Sequence, residues 1–236
     1  LEKRNGCGKL GAVFFNELEL LFDTLPQEGA AMNMAVDEAV LTLARRPVLR
    51  VYGWKRPAVT FGYFDAWREV VARYPGVEAV RRWTGGGVVE HGADWTYSLM
   101  VPRGEPFAAL SAADSYQRIH AILAEALSDE QAGVNGISLT PEAALKVSAA
   151  CFENPARHDV LRDGRKIAGA AQRRSRHGLL HQGSVQAITV PATLAERFAA
   201  RLASSCSIRE LTREERARAE ALAEQKYATP AWNERY

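Results

Sequence analysis

The sequence predicts an α+β fold of antiparallel hairpins with helices inserted between them. Two observations predict it. Short runs of alternating apolar residues recur with turn residues between them, as in antiparallel hairpins. Stretches with helical spacing of apolar residues are inserted between those strands, and two more close the sequence.

The elements follow in order. Residues 1–14 carry no regular pattern and are read as a flexible N-terminal segment, with 15–236 as one folded domain. Glu17 to Phe22 alternates as a first strand. A helix is expected from about Ala30 to Ala44, with Met32, Val36, Ala39, Val40 and Leu43 as its buried stripe. Asn33 and Asp37 lie one turn apart on one side of it, suited to capping or bracing a neighbouring loop. Val48 to Trp54 and Ala58 to Gly62 read as strands broken at Pro57, and a short helix follows to about Tyr74. Glu78 to Trp83 reads as a strand, and an apolar run passes through Val88, Val89 and His91. Thr96 to Val101 is a strand ended by Pro102. Ser111 to Leu127 is a helix with Ser111 as its cap and Ile119, Ile122, Leu123, Ala126 and Leu127 as its apolar face. Its His120 is read as a surface or core histidine. Residues 128–150 show little pattern, and a connection of that length is usually functional or mobile. Asp159 to Arg162 and Arg165 to Arg174 form a hairpin around Gly164, and Leu179 to Ala187 is a further strand. The tail holds a helix from about Ala192 to Leu202. A second runs from Thr212 to about Tyr227, with Glu215 completing a capping box.

Composition excludes several classes. The chain has 236 residues, 47% of them hydrophobic, which is enough for one sizeable core. A net charge of +2 without a long like-charge block gives no sign of a polyanion partner. The basic run at Arg173, Arg174, Arg176 and His177 is short and lacks interleaved aromatics, so no nucleic-acid role is expected. Three cysteines without a CxxC pair indicate neither a zinc ribbon nor a disulfide framework, and a reducing cytoplasm is the simplest setting. No apolar run approaches about 18 residues, so no membrane span is expected, and the first residues lack the apolar core of a signal peptide.

One stretch concentrates chemistry. Gly85, Gly86 and Gly87 stand between two strands, flanked by Arg81, Arg82, Thr84 and His91. Glycines in such a place suit positive φ or close approach to a ligand. A wall around something small, partly apolar and partly anionic is expected; a plain hairpin turn is the bland alternative. It is neither a dinucleotide fingerprint nor a phosphate loop.

The stretch RRWTGGGVVEH followed by DWTYS resembles the lipoate-binding loop of the lipoate–protein ligase and octanoyltransferase superfamily. MNMAVDEAVL at 32–41, GRKIAGAAQRR at 164–174 and LLHQGSV at 179–185 match further motifs, in the family's order and spacing, so the resemblance spans about residues 17–236. It implies the fold of the lipoate and biotin ligases, a large mixed, mainly antiparallel β-sheet flanked by helices and akin to class II aminoacyl-tRNA synthetases, and one catalytic domain over 15–236. It also implies a substrate site from Arg81, Arg82, Thr84, Gly85, Gly86, Gly87, His91, Gly169, Ala170, His181, Gly183 and Ser184. One departure stands out: the family's His-Gly pair is here His181, Gln182, Gly183. The segment FGYFDAW at 61–67 resembles one side of the family's acyl pocket; an aromatic core edge is the plainer reading of Tyr63 and Phe64. The biotin ligase loop of GRGRxG type is missing.

Two residues are expected to be catalytic. Lys166 follows the turn at Gly164 in a strand of small and apolar residues, where a buried lysine needs a partner; a solvent-facing lysine of the hairpin is the plainer reading of the pattern. The resemblance implies that it holds the acyl carbonyl. Cys151 could be a small buried hydrophobe. With Phe152, Pro155 and Asp159 it instead resembles the motif of cysteine-dependent octanoyltransferases of ligase-type fold, and Lys166, Arg157 or His158 could lower its pKa. Two reactions then compete. A transferase would move octanoyl from octanoyl-acyl carrier protein through Cys151 to a lysine ε-amine on a lipoyl-carrier protein, such as the glycine-cleavage H protein or an E2 lipoyl domain. It needs no cofactor. A ligase would use ATP and Mg²⁺ to make lipoyl-adenylate. Cys151 favours the transferase; a non-catalytic binder of lipoyl-carrier proteins is the reading from another class. No metal ligand set is expected, and the protein is expected to be a monomer in the cytoplasm.

Overall fold

The computed structural model describes residues 13–22, 29–128, 135–141 and 155–236. Most of the N-terminal segment falls outside them, as do Cys7 and Cys151. Phe14, expected to be flexible, is fixed: its amide donates to the Leu202 carbonyl at 2.9 Å and its ring packs on Phe107.

Eleven strands and six α-helices alternate in the described chain. They are β1 (Phe15–Phe22), α1 (Ala30–Leu43), β2 (Val48–Tyr52), β3 (Ala58–Phe61), α2 (Trp67–Arg73), β4 (Glu78–Arg81), β5 (Val89–His91) and β6 (Trp95–Pro102). Then come α3 (Ala112–Ser128), β7 (Ile137–Leu139), β8 (Val160–Arg162), β9 (Arg165–Ser175), β10 (Gly178–Val185), α4 (Leu194–Leu202), β11 (Ala203–Arg209), α5 (Arg213–Leu222) and α6 (Pro230–Asn233). An eight-stranded sheet has the order β11-β1-β2-β6-β10-β9-β8-β7, and a three-stranded sheet the order β4-β3-β5. Pairing in the large sheet is parallel at β11-β1-β2 and antiparallel from β2 to β7.

Period-two alternation sorts the large sheet's side chains. On β6, Tyr97, Leu99 and Val101 face the core under α3 and α4, whereas Met100 faces the core under α1 and α5. The small sheet carries its own cluster of Val59, Phe61, Val70 and Val88.

The structure corrects several expectations. Helix α1 is buried on more than one stripe, because α5 covers it from the side away from the sheet. Met34 and Leu41 are therefore core residues, while Met32 and Leu43 are half-buried. The patternless 128–150 stretch contains β7, which pairs with β8. Strand β11 escaped the sequence reading because its side chains are mostly exposed and polar, so no alternation marks it; its backbone is held in parallel register on β1. The capping box at Thr212 and Glu215 is present, and α5 gives way at Leu222 to a π-helical turn reaching Tyr227.

Asn33 and Asp37 do brace their surroundings. Asn33 Nδ2 donates to the Gly53 carbonyl after β2. Arg50, fully buried on β2, donates to Asp37 Oδ1 at 2.7 Å, to Asn33 Oδ1 at 2.9 Å and to the Asn33 carbonyl. Asp37 Oδ2 accepts from Ser98 on β6 and Gln182 on β10. Removing one partner of such a pair leaves an uncompensated buried charge, which costs about 3–5 kcal/mol. Arg50→Met is expected to lower unfolding free energy by that amount in urea titration; a loss within about 1 kcal/mol would mean the pair does not anchor α1.

Candidate active site

Strands β9 and β10 meet through small residues: Gly169 opposite Ser184 and Ala170 opposite Gly183. Their α1-side face carries no bulky side chain there, so a pocket opens between this part of the large sheet and the small sheet. Gly169, Ala170, Ala171, Gln182, Gly183 and Ser184 form one wall. Arg82, Gly86, Val89 and His91 face them, with Thr60 on β3. Met34, Tyr52, Trp54 and Thr96 complete the lining.

The glycine loop is held by close approach and by Arg82. Gly86 has φ +88°, open to glycine at no steric cost, and a Cβ on Gly62 would sit 1.9 Å from the Gly86 carbonyl oxygen. Arg82 donates to the Gly85 and Gly87 carbonyls and, at 2.7 Å, to Thr60 Oγ1. Since that guanidinium can only donate, the Thr60 proton turns to His91 Nε2, 2.8 Å away. His91 Nδ1–H then donates to Asp94 Oδ2 at 2.8 Å. Burial pushes the His91 pKa down and keeps the ring neutral, stacked on Trp54 at 4.0 Å. Burial alone would raise the Asp94 carboxyl, but donors from His91, Ser184 and the Gly92 amide outweigh it and hold it below the usual range.

Of the residues singled out from sequence, Arg82, Gly86, His91, Gly169, Ala170, Gly183 and Ser184 line this pocket. Arg81 does not. Its fully buried guanidinium donates to the carbonyls of Gly62, Tyr63, Asp65, Trp232 and Asn233, tying the C-terminal turn to the start of the pocket wall. Thr84 is buried beside the pocket and donates to Gln182 Oε1 at 2.7 Å. Gly85 and Gly87 contribute their carbonyls to Arg82. His181 faces the opposite side of the sheet, since neighbours on a strand point to opposite faces, and Gln182 takes the pocket side. Lys166 does not line the pocket. Its side chain, 2% exposed, pairs with Asp159 Oδ2 at 2.8 Å, and its ammonium folds over Gly169, where a Cβ would lie 2.8 Å from Nζ. Cys151 lies outside the described residues. Sequence reasoning missed Gln182, Trp54 and Thr60; alternation placing Trp54 with the strand before Pro57 was the available signal. Among the described residues no His, Cys, Asp and Glu group is arranged to hold a metal ion, and no helix is long and apolar enough to cross a membrane.

Residues 29–211 match the family described as the lipoyl protein ligase A/B catalytic domain. The chain belongs to that family. It is 38% identical over 170 residues to the octanoyltransferase LipM of Kyrpidia tusciae, covering 66% of this chain and 61% of that protein. The chain spans about 60% of the length of the curated relatives it matches. Among solved structures, protein Ta0514 of T. acidophilum with bound lipoic acid superposes with a TM-score of 0.73 at 21% identity, covering 93% of this chain and 99% of that one. A bi-partite lipoate protein ligase of Thermoplasma acidophilum, studied with its E2 lipoyl domain, gives 0.66 at 22% identity, covering 94% and 96%. These two likenesses establish the fold.

In this member of the lipoyl ligase A/B family, a second set of polar groups lies behind the pocket. His181 accepts from Gln172 Nε2 at Nδ1 and reaches Tyr97 OH through Nε2. His120 bonds the His158 carbonyl through Nδ1 at 2.7 Å. Burial pushes His181 well below its ordinary value and His120 down to about 4. A folded pKa below the unfolded 6.5 means that the unfolded chain takes up the proton first. Stability is then full above about pH 6.5 and falls as pH drops toward 4. His120 alone is expected to cost about 2 kcal/mol between pH 6.5 and 5, read from urea midpoints, with a shallower slope in His120→Leu. A flat profile across that range would contradict neutral buried imidazoles.

Proposed function

We propose that this protein transfers an octanoyl group from octanoyl-acyl carrier protein to the ε-amine of a lysine on a lipoyl-carrier protein, through a thioester on Cys151. The likeness to LipM octanoyltransferases supports the reaction class. The arrangement around Asp159 carries the mechanism. One carboxylate oxygen, Oδ2, accepts from both the Lys166 ammonium and the Ala156 amide, and the same ammonium lies against Gly169 at the pocket wall. In the sequence Cys151 precedes Ala156 by five residues and Lys166 by fifteen.

In the first step the Cys151 thiolate attacks the donor thioester carbonyl. A tetrahedral oxyanion forms, Lys166 stabilises it, and the carrier thiol departs. In the second step the acceptor lysine amine attacks the Cys151 thioester, giving the amide and restoring the thiolate. Both steps exchange acyl bonds of similar or greater reactivity than the product, so the reaction needs no ATP. The acyl chain lies in the pocket along the backbone of Gly169 and Gly183 and over Ala171; the Cβ positions of the two glycines are taken by the Lys166 ammonium and the Tyr97 ring. Acceptors are lipoyl-carrier proteins such as H protein or E2 lipoyl domains, the setting is the cytoplasm, and the catalytic domain covers 15–236.

The test is the intact mass of the protein mixed with octanoyl-acyl carrier protein in the absence of ATP. A hydroxylamine-labile gain of one octanoyl group is expected, absent in Cys151→Ala. Lys166→Ala is expected to slow that acylation by about 10²–10³-fold. No adduct, together with ATP-dependent attachment of free lipoate to a carrier domain, would make the protein a lipoate–protein ligase acting through lipoyl-adenylate. Neither activity, with carrier proteins still bound, would leave a non-catalytic binder.

A further inference from the structure

Helix α3 lies outside the four motifs that carry the resemblance, and its apolar stripe reads as ordinary core packing. One side chain on it does something else. Tyr116 stands one turn into the helix, and its hydroxyl donates to Asp159 Oδ1 and accepts from the Ala170 amide at 3.0 Å. Both contacts fall at a particular place in the sheet. The pairing of β8 with β9 ends at Val160 and Ala168, so among the described residues no strand covers the outer edge of β9 beyond that point. Tyr116 stands in for that strand at Ala170, a residue of the pocket wall.

Asp159 is fully buried, so its geometry is set by its donors. Oδ1 receives Tyr116; Oδ2 receives the Ala156 amide at 2.7 Å and the Lys166 ammonium at 2.8 Å. A carboxylate fixed at both oxygens cannot turn about its Cβ–Cγ bond, and the ammonium bound to it is held in one place. Releasing Oδ1 leaves the group held at Oδ2 alone and loosens that rotation. His120, one turn further along α3, holds the carbonyl of His158 and keeps the same short segment against the helix.

We infer that Tyr116 is a positioning residue for Lys166, acting through Asp159 and through the Ala170 amide. This rests on the acyl-transfer reading, in which Lys166 meets the acyl carbonyl. Tyr116 touches neither the acyl group nor the thiol; it sets where the ammonium stands relative to the pocket wall. Neutral at any working pH because burial raises its pKa, the phenol remains a donor to the carboxylate throughout.

The test is a double-mutant cycle on the single-turnover rate of acylation by an octanoyl thioester, with octanoate affinity measured by calorimetry on the same proteins. Tyr116→Phe keeps the ring and removes the hydroxyl. It is expected to lower the acylation rate constant about tenfold, with the half-saturating thioester concentration little changed, the size of a lost hydrogen bond to a charged group. In the Lys166→Ala background the same substitution is expected to have no further effect. An equal loss in both backgrounds would assign Tyr116 a purely structural role and overturn the inference, as would an unchanged rate in Tyr116→Phe alone. Wild-type protein that neither binds octanoate nor becomes acylated would sink the acyl-transfer reading itself, and the inference with it.

Discussion

A carboxylate cut off from water must have its charge and its lone pairs met by protein groups, and the fold is assembled around fully buried Asp37. Its oxygens gather Arg50 from β2, Ser98 from β6 and Gln182 from β10, so one side chain of α1 crosslinks three neighbouring strands of the large sheet. Gln182 also accepts from Thr84, which extends the linkage to the glycine loop. The loop therefore does not rest on glycine flexibility. It is fastened, through one amide and one carboxylate, to the helix across the pocket.

The same solution recurs around the pocket. Asp94 gathers His91, Thr96, Ser184 and the Gly92 amide on the small-sheet side. Asp159 gathers Tyr116, the Ala156 amide and Lys166 beyond the edge of β9. Each is a fully paired network, and partly paired ones would be costly in so dry a setting. Between them lies a wall of glycine and alanine that offers a ligand shape but few polar contacts. Polar order is thus kept in the frame, and the pocket wall between is left plain, a division that suits a preorganised site.

Most of the fold was legible because apolar spacing reports burial when one face is wet. Helix α3 follows that rule, and the capping box at Thr212 was legible from its own polar signature. Strand β10 does not: every residue from Gly178 to Val185 is buried, so nothing in GLLHQGSV tells which side chains face the pocket, and His181 was assigned in place of Gln182. Arg81 and Arg82 are likewise indistinguishable as a pair of cations in sequence. Alternation sends Arg81 into a nest of carbonyls and Arg82 into the loop, and only the pairing of β4 with β3 fixes which is which. Lys166 was legible as a lysine needing a partner; that the partner is Asp159, steadied from α3, depends on a helix remote in sequence.

Strand β11 has a consequence for how the molecule comes into being. It lies in parallel register on β1, with Phe15 opposite Ala203 and Leu21 opposite Arg209. Strand β1 therefore waits for a strand far along the chain before its outer edge is covered. Until then its backbone donors and acceptors stay exposed beside Leu18 and Leu20, which are buried in the finished core. Contacts this remote are slow to form, because a long loop must close before they return any stability. During vectorial synthesis on the ribosome, β1 then stays open to pairing with the wrong chain until residues 203–209 emerge.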